Sequence, residues 1–544
     1  MKPASLAPGL TPKQAPGLAV DLLLAAVFGA AHSLPFVYTQ AWCLQMLIVA
    51  WLAWRAAAVP PRRAAALGLA FGTAWLAAGT WWLYISLHRY GGLPAPLAVL
   101  AVGLLSAFMS IYLALALAMF ARWRSACGWR DALLFASLWL LTELARGVIF
   151  TGFPWLASGY AHVDGPLAAL APWIGVYGIG FVAAALAAWP VLVWPSAAGA
   201  RAAPSLRLRA IPFAALALVL GGAALVGQVG FTQPGGTLKV TLLQGNVAQD
   251  EKFALAQMPQ ALAWTSTQLR AARGALVVAP ETVIPLLPSQ LDPAYWQTLL
   301  DHFRRGPQAA LLGLPLGDEV VGYTNSAAGI SAASAALPVG FYRYDKHHLV
   351  PFGEFIPLGF RWFTQLMNIP LGDFNRGVVG APSFDFNGER IGANICYEDL
   401  FGEELAARFR DEAAAPTIFA NISNIGWFGD TIAIDQHLEI SRLRTLEFQR
   451  PMLRATNTGA TAVIDHQGHV THRLPRFTQG VLDAEVQGRT GLTPFAWWAS
   501  RFGLWPLALG AVLVLLMQAF AQRALSRKRE RVGVRVFVRR AGAE

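Results

Sequence analysis

The sequence predicts a two-part molecule: a membrane bundle of about eight transmembrane α-helices, joined to a layered α/β domain of ordinary composition. Three observations carry this. Of the 544 residues, 55% are hydrophobic and only 13% charged, with a mean hydropathy of +0.45, too apolar for a soluble protein of several domains. Apolar stretches of spanning length recur before residue 232 and once more near the end. Between them, residues 231–495 have normal charge density and short strand-like runs. The same composition excludes a disordered chain, a collagenous repeat and a disulfide scaffold, the last because only three cysteines occur.

A helix crossing the hydrocarbon needs roughly 20 apolar residues. Seven such stretches precede the soluble section, at 17–36, 39–58, 65–87, 94–120, 131–150, 168–194 and 210–230, and an eighth lies at 499–520. The expected division is a seven-helix bundle over 1–230, the soluble domain over 231–495, a C-terminal spanning helix over 496–522 and a basic tail over 523–544. The first stretch shares a basic start and small final residues with cleaved leader peptides. Asp21 interrupts it, however, and its removal would leave an odd number of spans. Glu143 and Arg146, three apart in the fifth stretch, are expected to face other helices, as an ion pair or beside substrate.

Basic residues set the orientation. Lys2 and Lys13 precede the first span; Arg55, Arg62 and Arg63 follow the second; Arg122, Arg124 and Arg130 follow the fourth; Arg201, Arg207 and Arg209 follow the sixth. A run from Arg523 to Arg540 follows the eighth. Every second connection is therefore cytoplasmic, both termini lie inside, and the soluble domain faces outward, into the periplasm of a bacterium with two membranes. This explains the formal charge of +11 and the pI of about 9.9 without any nucleic-acid partner. Residues 231–495 hold 20 Lys+Arg and 25 Asp+Glu, so the excess of positive charge lies wholly in the membrane part.

The soluble section alternates strand-like runs, KVTLLQ (239–244), ALVVAP (275–280) and TIFANIS (417–423), with helix-length segments such as 250–273. Three apolar runs end on reactive groups: Glu281 in VVAPETVIP, Lys346 in YRYDKHHLVPFGEFIP with Glu354 eight residues on, and Cys396 in IGANICYEDL. Singly, each has an ordinary reading, a buried small hydrophobe or a solvated charge. As a set at strand ends they suit acyl transfer through a thioester. Glu281 could take the thiol proton, Lys346 could stabilise the oxyanion and Glu354 could hold the lysine.

The same residues carry a resemblance. PE after a strand, the K-x-x-L-V-P-F-G-E run and C-Y-E are similar to the nitrilase superfamily. Together with LARGVIFTGFPWLASGYAH (144–162), LLQGNVAQDEKF (242–253), SNIGWFGD (423–430) and QHLEISRLRTLEFQRPMLRATNTG (436–459), the chain resembles that superfamily's membrane-anchored branch, the apolipoprotein N-acyltransferase family. The resemblance implies an αββα sandwich fused to the helical bundle, with Glu281 as general base, Lys346 at the oxyanion and Cys396 as nucleophile. It also implies supporting roles for Glu354, Tyr397 and Glu398. The implied reaction moves an sn-1 acyl chain from a phospholipid donor to Cys396. It then passes to the α-amino group of a diacylglyceryl apolipoprotein acceptor, with no cofactor and no metal. Where the family often has Trp, this chain has Phe253, which keeps the ring and loses the indole N–H.

A lipid substrate is also suggested by the run FIPLGFRWFTQLMNIPLGDF (355–374), whose only charge before Asp373 is Arg361. It is expected to be an arm dipping into the lipid interface, with Phe360 and Trp362 on substrate; the alternative is a helix buried under the sheet. Trp427 and Phe428 line the same pocket or pack in the core. Two other functions fit less of the sequence. A tethered amidase transferring to water would need one anchoring helix, and a transporter with an outer binding module would carry more intramembrane charge. Nothing demands more than a monomer.

Overall fold

The computed structural model describes residues 17–125, 127–193, 206–227, 229–252, 254, 256–357, 359–362 and 373–522. The bundle is formed by the helices Leu18–Ala31, Trp42–Ala57, Pro61–Gly79, Ala95–Trp123, Gly128–Val148, Ala171–Val193 and Leu206–Val226, and Trp505–Gln522 follows the soluble domain. Five described helical stretches are long and apolar enough to cross a membrane: 18–36, 95–123, 128–151, 166–193 and 505–522. Helix Trp42–Ala57, at 16 residues, and the apolar stretch Ala210–Ala223 are shorter.

The expected third span, 65–87, is not one rod. Its helix stops at Gly79 and the chain turns by 65° into Leu83–Tyr90. Thr80 Oγ1 donates to the Leu76 carbonyl at 2.7 Å, in competition with the helical ladder. The freed Gly79 carbonyl takes Nε2 of Gln436 at 3.0 Å and the Trp82 indole at 3.1 Å. The ladder thus breaks where a side chain from the soluble domain replaces it. If the bent pair is one span, it is the sixth.

Charges inside the bundle are paired. Asp21, the interruption in the first span, is buried and accepts from Arg55 at 2.7 and 2.6 Å and also from Arg63. Glu143 and Arg146 lie 3.9 Å apart and both reach one loop: Glu143 accepts from the Ser158 amide and hydroxyl, and Arg146 donates to the Leu156 carbonyl. That geometry is the ion-pair reading, a cross-link between a helix and the loop following it.

Among the described residues, twelve strands make the soluble domain: β1 (Thr232–Gln244), β2 (Leu276–Val278), β3 (Ala309–Asp318), β4 (Gly322–Ile330), β5 (Tyr342–Asp345), β6 (Phe384–Phe386), β7 (Glu389–Ile395), β8 (Ile418–Ser423), β9 (Met452–Thr456), β10 (Ala462–Ile464), β11 (Val470–Arg473) and β12 (Gly480–Gly491). They form two six-stranded sheets, in the orders β12-β1-β2-β3-β4-β5 and β11-β10-β9-β8-β7-β6. β1, β2 and β3 run parallel, as do β7, β8 and β9, and the flanking pairs are antiparallel. Apolar residues of both inner faces, among them Val240, Val278, Leu311, Ile391, Ala420 and Leu453, meet in one core.

Helices Met258–Ala271 and Pro293–Arg305 cover the outer face of the first sheet through Leu269, Trp296, Leu299 and Phe303. Helix Ile432–Phe448 covers the second sheet, and its core runs without interruption into the membrane helices. The seam is chemically specific. Gly175, at φ +64°, breaks helix Ala171–Val193 where a Cβ would lie 2.4 Å from the Phe495 ring. The Val176 amide just after the break donates to Glu447 at 2.7 Å, so a carboxylate of the soluble domain caps a membrane helix.

Candidate active site

Each reactive residue sits just past a strand, and the two sheets contribute different members. Glu281 follows β2 and Lys346 follows β5, both in the first sheet; Cys396 follows β7 in the second. The open end between the sheets therefore holds acid, amine and thiol together. Cys396 adopts φ +53°, a left-handed conformation that costs a non-glycine residue energy and is held by its surroundings. Its carbonyl accepts from Asn421 Nδ2 and His437 Nε2, each at 3.2 Å. The His437 tautomer is determined by Arg454, whose Nη2 donates to Nδ1 at 3.1 Å and leaves the proton on Nε2. Burial, reinforced by Arg454, keeps this imidazole neutral.

Lys346 is fully buried between two carboxylates, donating to Glu281 Oε1 at 3.2 Å and Glu354 Oε1 at 2.9 Å. Burial alone would lower its pKa, but the charges of Glu281 and Glu354 outweigh it and hold the ammonium above its ordinary value. Asn325 Nδ2 ties the two acids together, at 2.7 Å to Glu281 and 2.6 Å to Glu354. Glu354 also accepts from the Val350 amide, and Glu281 Oε2 from the Asn424 amide at 2.9 Å. Burial works to raise the Glu281 pKa, and Lys346, the Asn325 bond and Lys252 bring it below the usual range. The Cys396 thiol is pushed up to about 12 by burial and then by Glu281, against Lys346 and a hydrogen bond with Ser423. At neutral pH the resting site therefore holds an ionised acid beside a protonated thiol.

Glu398 does not face this cluster as a reactant. Its carboxylate accepts from the Ile395 amide at 2.7 Å, the His347 amide at 2.7 Å and the Tyr344 hydroxyl at 2.8 Å, linking the nucleophile turn to the lysine turn. Tyr397 points the other way, toward the membrane, donating to the Gly152 carbonyl at 2.9 Å. His348, two residues past the lysine, meets the Thr151 carbonyl at 2.8 Å. One loop of the bundle, with left-handed Phe150, Thr151 and Gly152, thus contacts the turns that carry Cys396 and Lys346.

The aromatic residues divide. Phe428 packs on Trp82 at 4.2 Å and on Trp155, and Trp427 meets Tyr90 edge-on, so this pair lies at the junction with the bent membrane segment. Phe360 and Trp362 stack and are 43% and 60% exposed, whereas a helix beneath the sheet would bury them. The Phe374 amide bonds to the Glu354 carbonyl at 3.0 Å, so the chain after the 355–374 run returns to Glu354. Most of the arm between Trp362 and Asp373 and also Phe253 lie outside the described residues. Sequence patterns missed Lys252, Asn325, Asn424, Ser423 and His437; these common polar residue types carry no signal of their own, and only the fold brings them to the cluster. Among the described residues no His, Cys, Asp and Glu group could hold a metal.

The chain is similar to known proteins along nearly its whole length. Residues 28–189 match the family model of the apolipoprotein N-acyltransferase N-terminal domain, and residues 239–495 that of the carbon-nitrogen hydrolases. The apolipoprotein N-acyltransferase of Verminephrobacter eiseniae is 54% identical over 510 residues, covering 90% of this chain and 94% of its own. That of Ralstonia nicotianae is 46% identical over 92% of this chain and 93% of its own. A carbon-nitrogen hydrolase from Helicobacter pylori is similar over 50% of this chain and 94% of its own, at 15% identity and a TM-score of 0.34. With one relative more than half identical along nearly the whole length, and both domain models matched in order, the chain belongs to the apolipoprotein N-acyltransferase family of membrane-bound acyltransferases.

Proposed function

We propose that Cys396 takes the sn-1 acyl chain of a phospholipid as a thioester and passes it to the α-amino group of an S-diacylglyceryl cysteine at a lipoprotein N-terminus. The observation that supports it is the shared cluster: Glu281 and Glu354 both on the Lys346 ammonium, coupled electrostatically to a thiol on a left-handed turn. Because the thiol is protonated at rest, its proton moves to Glu281 as sulfur attacks the ester carbonyl, and Lys346 offsets the oxyanion. Collapse breaks the bond between the acyl carbon and the glycerol oxygen, Glu281 returns the proton to that oxygen, and lysophospholipid leaves. The acceptor amine then attacks the thioester and gives its proton to Glu281; the C–S bond breaks, the amide is released and Glu281 returns the proton to sulfur, restoring the thiol.

Phe360 and Trp362 are assigned to the acyl chain's path on their exposure a few residues past Glu354, and Trp427 and Phe428 on their contacts with the bent membrane segment. The alternation of basic connections supports cytoplasmic termini, a periplasmic catalytic domain over 231–495 and residence in the inner membrane. A phospholipid with a tagged acyl chain tests the reading. Acyl-thioester should accumulate on the wild type and be absent from Cys396→Ala and Glu281→Gln at equal protein levels. Equal labelling of Cys396→Ala would sink the assignment of the nucleophile, and normal yield in Glu281→Gln that of the base.

A further inference from the structure

Charge counting at the site leaves one group unexplained. Glu281 and Glu354 each place Oε1 on the same ammonium, that of Lys346, so the cluster drawn so far carries two negative charges and one positive. An excess negative charge beside Cys396 opposes the thiolate and then the oxyanion, which carry in turn the one negative charge that leaves Glu281 when it takes the thiol proton. The balancing cation is Lys252. It follows β1 in the turn after Gln244, is only 6% exposed, and its Nζ donates to the backbone carbonyl of Glu281 at 2.9 Å. Electrostatically it faces Glu281 and Cys396. On its own segment Asp250 is 54% exposed and paired with Arg89 from the bent membrane helix, so that carboxylate is turned away to the surface.

We infer, building on the assigned roles of Glu281 and Cys396, that Lys252 is a fourth charged member of the site: a positioning residue. It fixes Glu281 through its carbonyl and brings the resting cluster to neutrality, so that the negative charge passed from Glu281 to sulfur and on to the oxyanion develops beside two cations and one carboxylate. A buried ammonium with one carbonyl partner is costly unless the fold uses its charge. The bond to the carbonyl, and not to the carboxylate, leaves Glu281 free to accept a proton.

Burial lowers the Lys252 pKa to about 8, against the opposing pull of Glu281 and Cys396. The sign follows directly: the ammonium is present below about pH 8 and lost above it, so thioester formation falls as pH rises through that value. The test is single-turnover thioester formation from tagged phospholipid in detergent micelles, across pH 6 to 10, on the full-length chain. Lys252→Met keeps the stem and removes the charge, and should slow the step by about 100-fold at pH 7. Lys252→Arg keeps the charge and should retain activity, with the alkaline fall displaced upward. Wild-type rates in Lys252→Met, an unmoved alkaline limb in Lys252→Arg, or equal loss in both at normal folded yield would each overturn the assignment. If the wild type itself formed no thioester, the function proposed above would fail instead.

Discussion

The two helical layers of the sandwich are built from opposite materials. Helix Pro293–Arg305, over the first sheet, is amphipathic in the ordinary way: Trp296, Leu299, Leu300 and Phe303 are buried while Arg304 and Arg305 sit in its last turn. Helix Ile432–Phe448, over the second, buries Gln436, His437, Ser441, Arg444, Thr445 and Glu447 along with its apolar residues. The first has water on its far side and the second has the membrane bundle. A helix buried on both faces could be apolar throughout, and this one is not, because its polar groups make directed bonds. Gln436 takes both the Trp82 and Trp155 indoles, Glu447 caps Val176, and Arg444 reaches the Tyr160 hydroxyl at 3.2 Å. Apolar contact would hold the domain to the membrane; these bonds decide in which orientation it sits.

The contrast is broken most severely at Arg444, which is fully buried and 2.7 Å from Glu447. Arg444→Met leaves the Glu447 carboxylate in the seam without its cation and should cost about 3–5 kcal/mol. Leu299→Ala on the outer layer opens a cavity under a water-facing helix and should cost about 2–5 kcal/mol. Unfolding in detergent, followed separately by proteolysis of the bundle and of the soluble domain, distinguishes them. Arg444→Met should loosen both parts together, and Leu299→Ala the soluble domain alone. Loss confined to the soluble domain in both would mean that the seam is not what distinguishes the inner layer.

A smaller effect is expected at His437, where the inner layer touches the nucleophile. Its Nε2 holds the Cys396 carbonyl, and Trp155 from the membrane loop stacks on its ring at 5.6 Å. His437→Leu removes one of two donors to a strained turn and should lower the rate of thioester formation about 10-fold, with phospholipid KM little changed. His437→Gln can place an amide N–H on the carbonyl and an amide oxygen toward Arg454, and should recover most of that loss. Equal rates in the two variants would show that this bond does not position the thiol.

The reactive residues are legible in the sequence; the inner layer's chemistry is not. Strand-end Glu281, Lys346 and Cys396 stand out because a reactive group directly after an apolar run is a local pattern, as is a run of 20 uncharged residues. The 65° break after Gly79 is not local: it depends on Gln436, more than 350 residues away, reaching the Gly79 carbonyl. Tyr397 and Glu398 were visible as neighbours of the thiol, yet only the fold separates them, one bonding to the membrane loop and the other to the lysine turn. Lys252 resembled any surface lysine in an acidic stretch until β1 and β2 were laid side by side.

The smallest expected effect sharpens the comparison from the outer side. Arg305 and Asp301 form an i,i+4 pair at 3.1 Å, with side chains 80% and 46% exposed. Water solvates both ions, salt screens them, and holding two long side chains together costs rotamer freedom. Asp301→Asn should therefore change stability by less than about 0.5 kcal/mol and leave thioester formation untouched. Arg444 and Glu447 are likewise a near-neighbour pair on one helix, three residues apart, but with no water available to either. If Asp301→Asn cost as much as Arg444→Met, sequence spacing alone would set the strength of these pairs. A large difference between the two assigns that strength to what lies on the far side of each helix, solvent in one case and the bundle in the other.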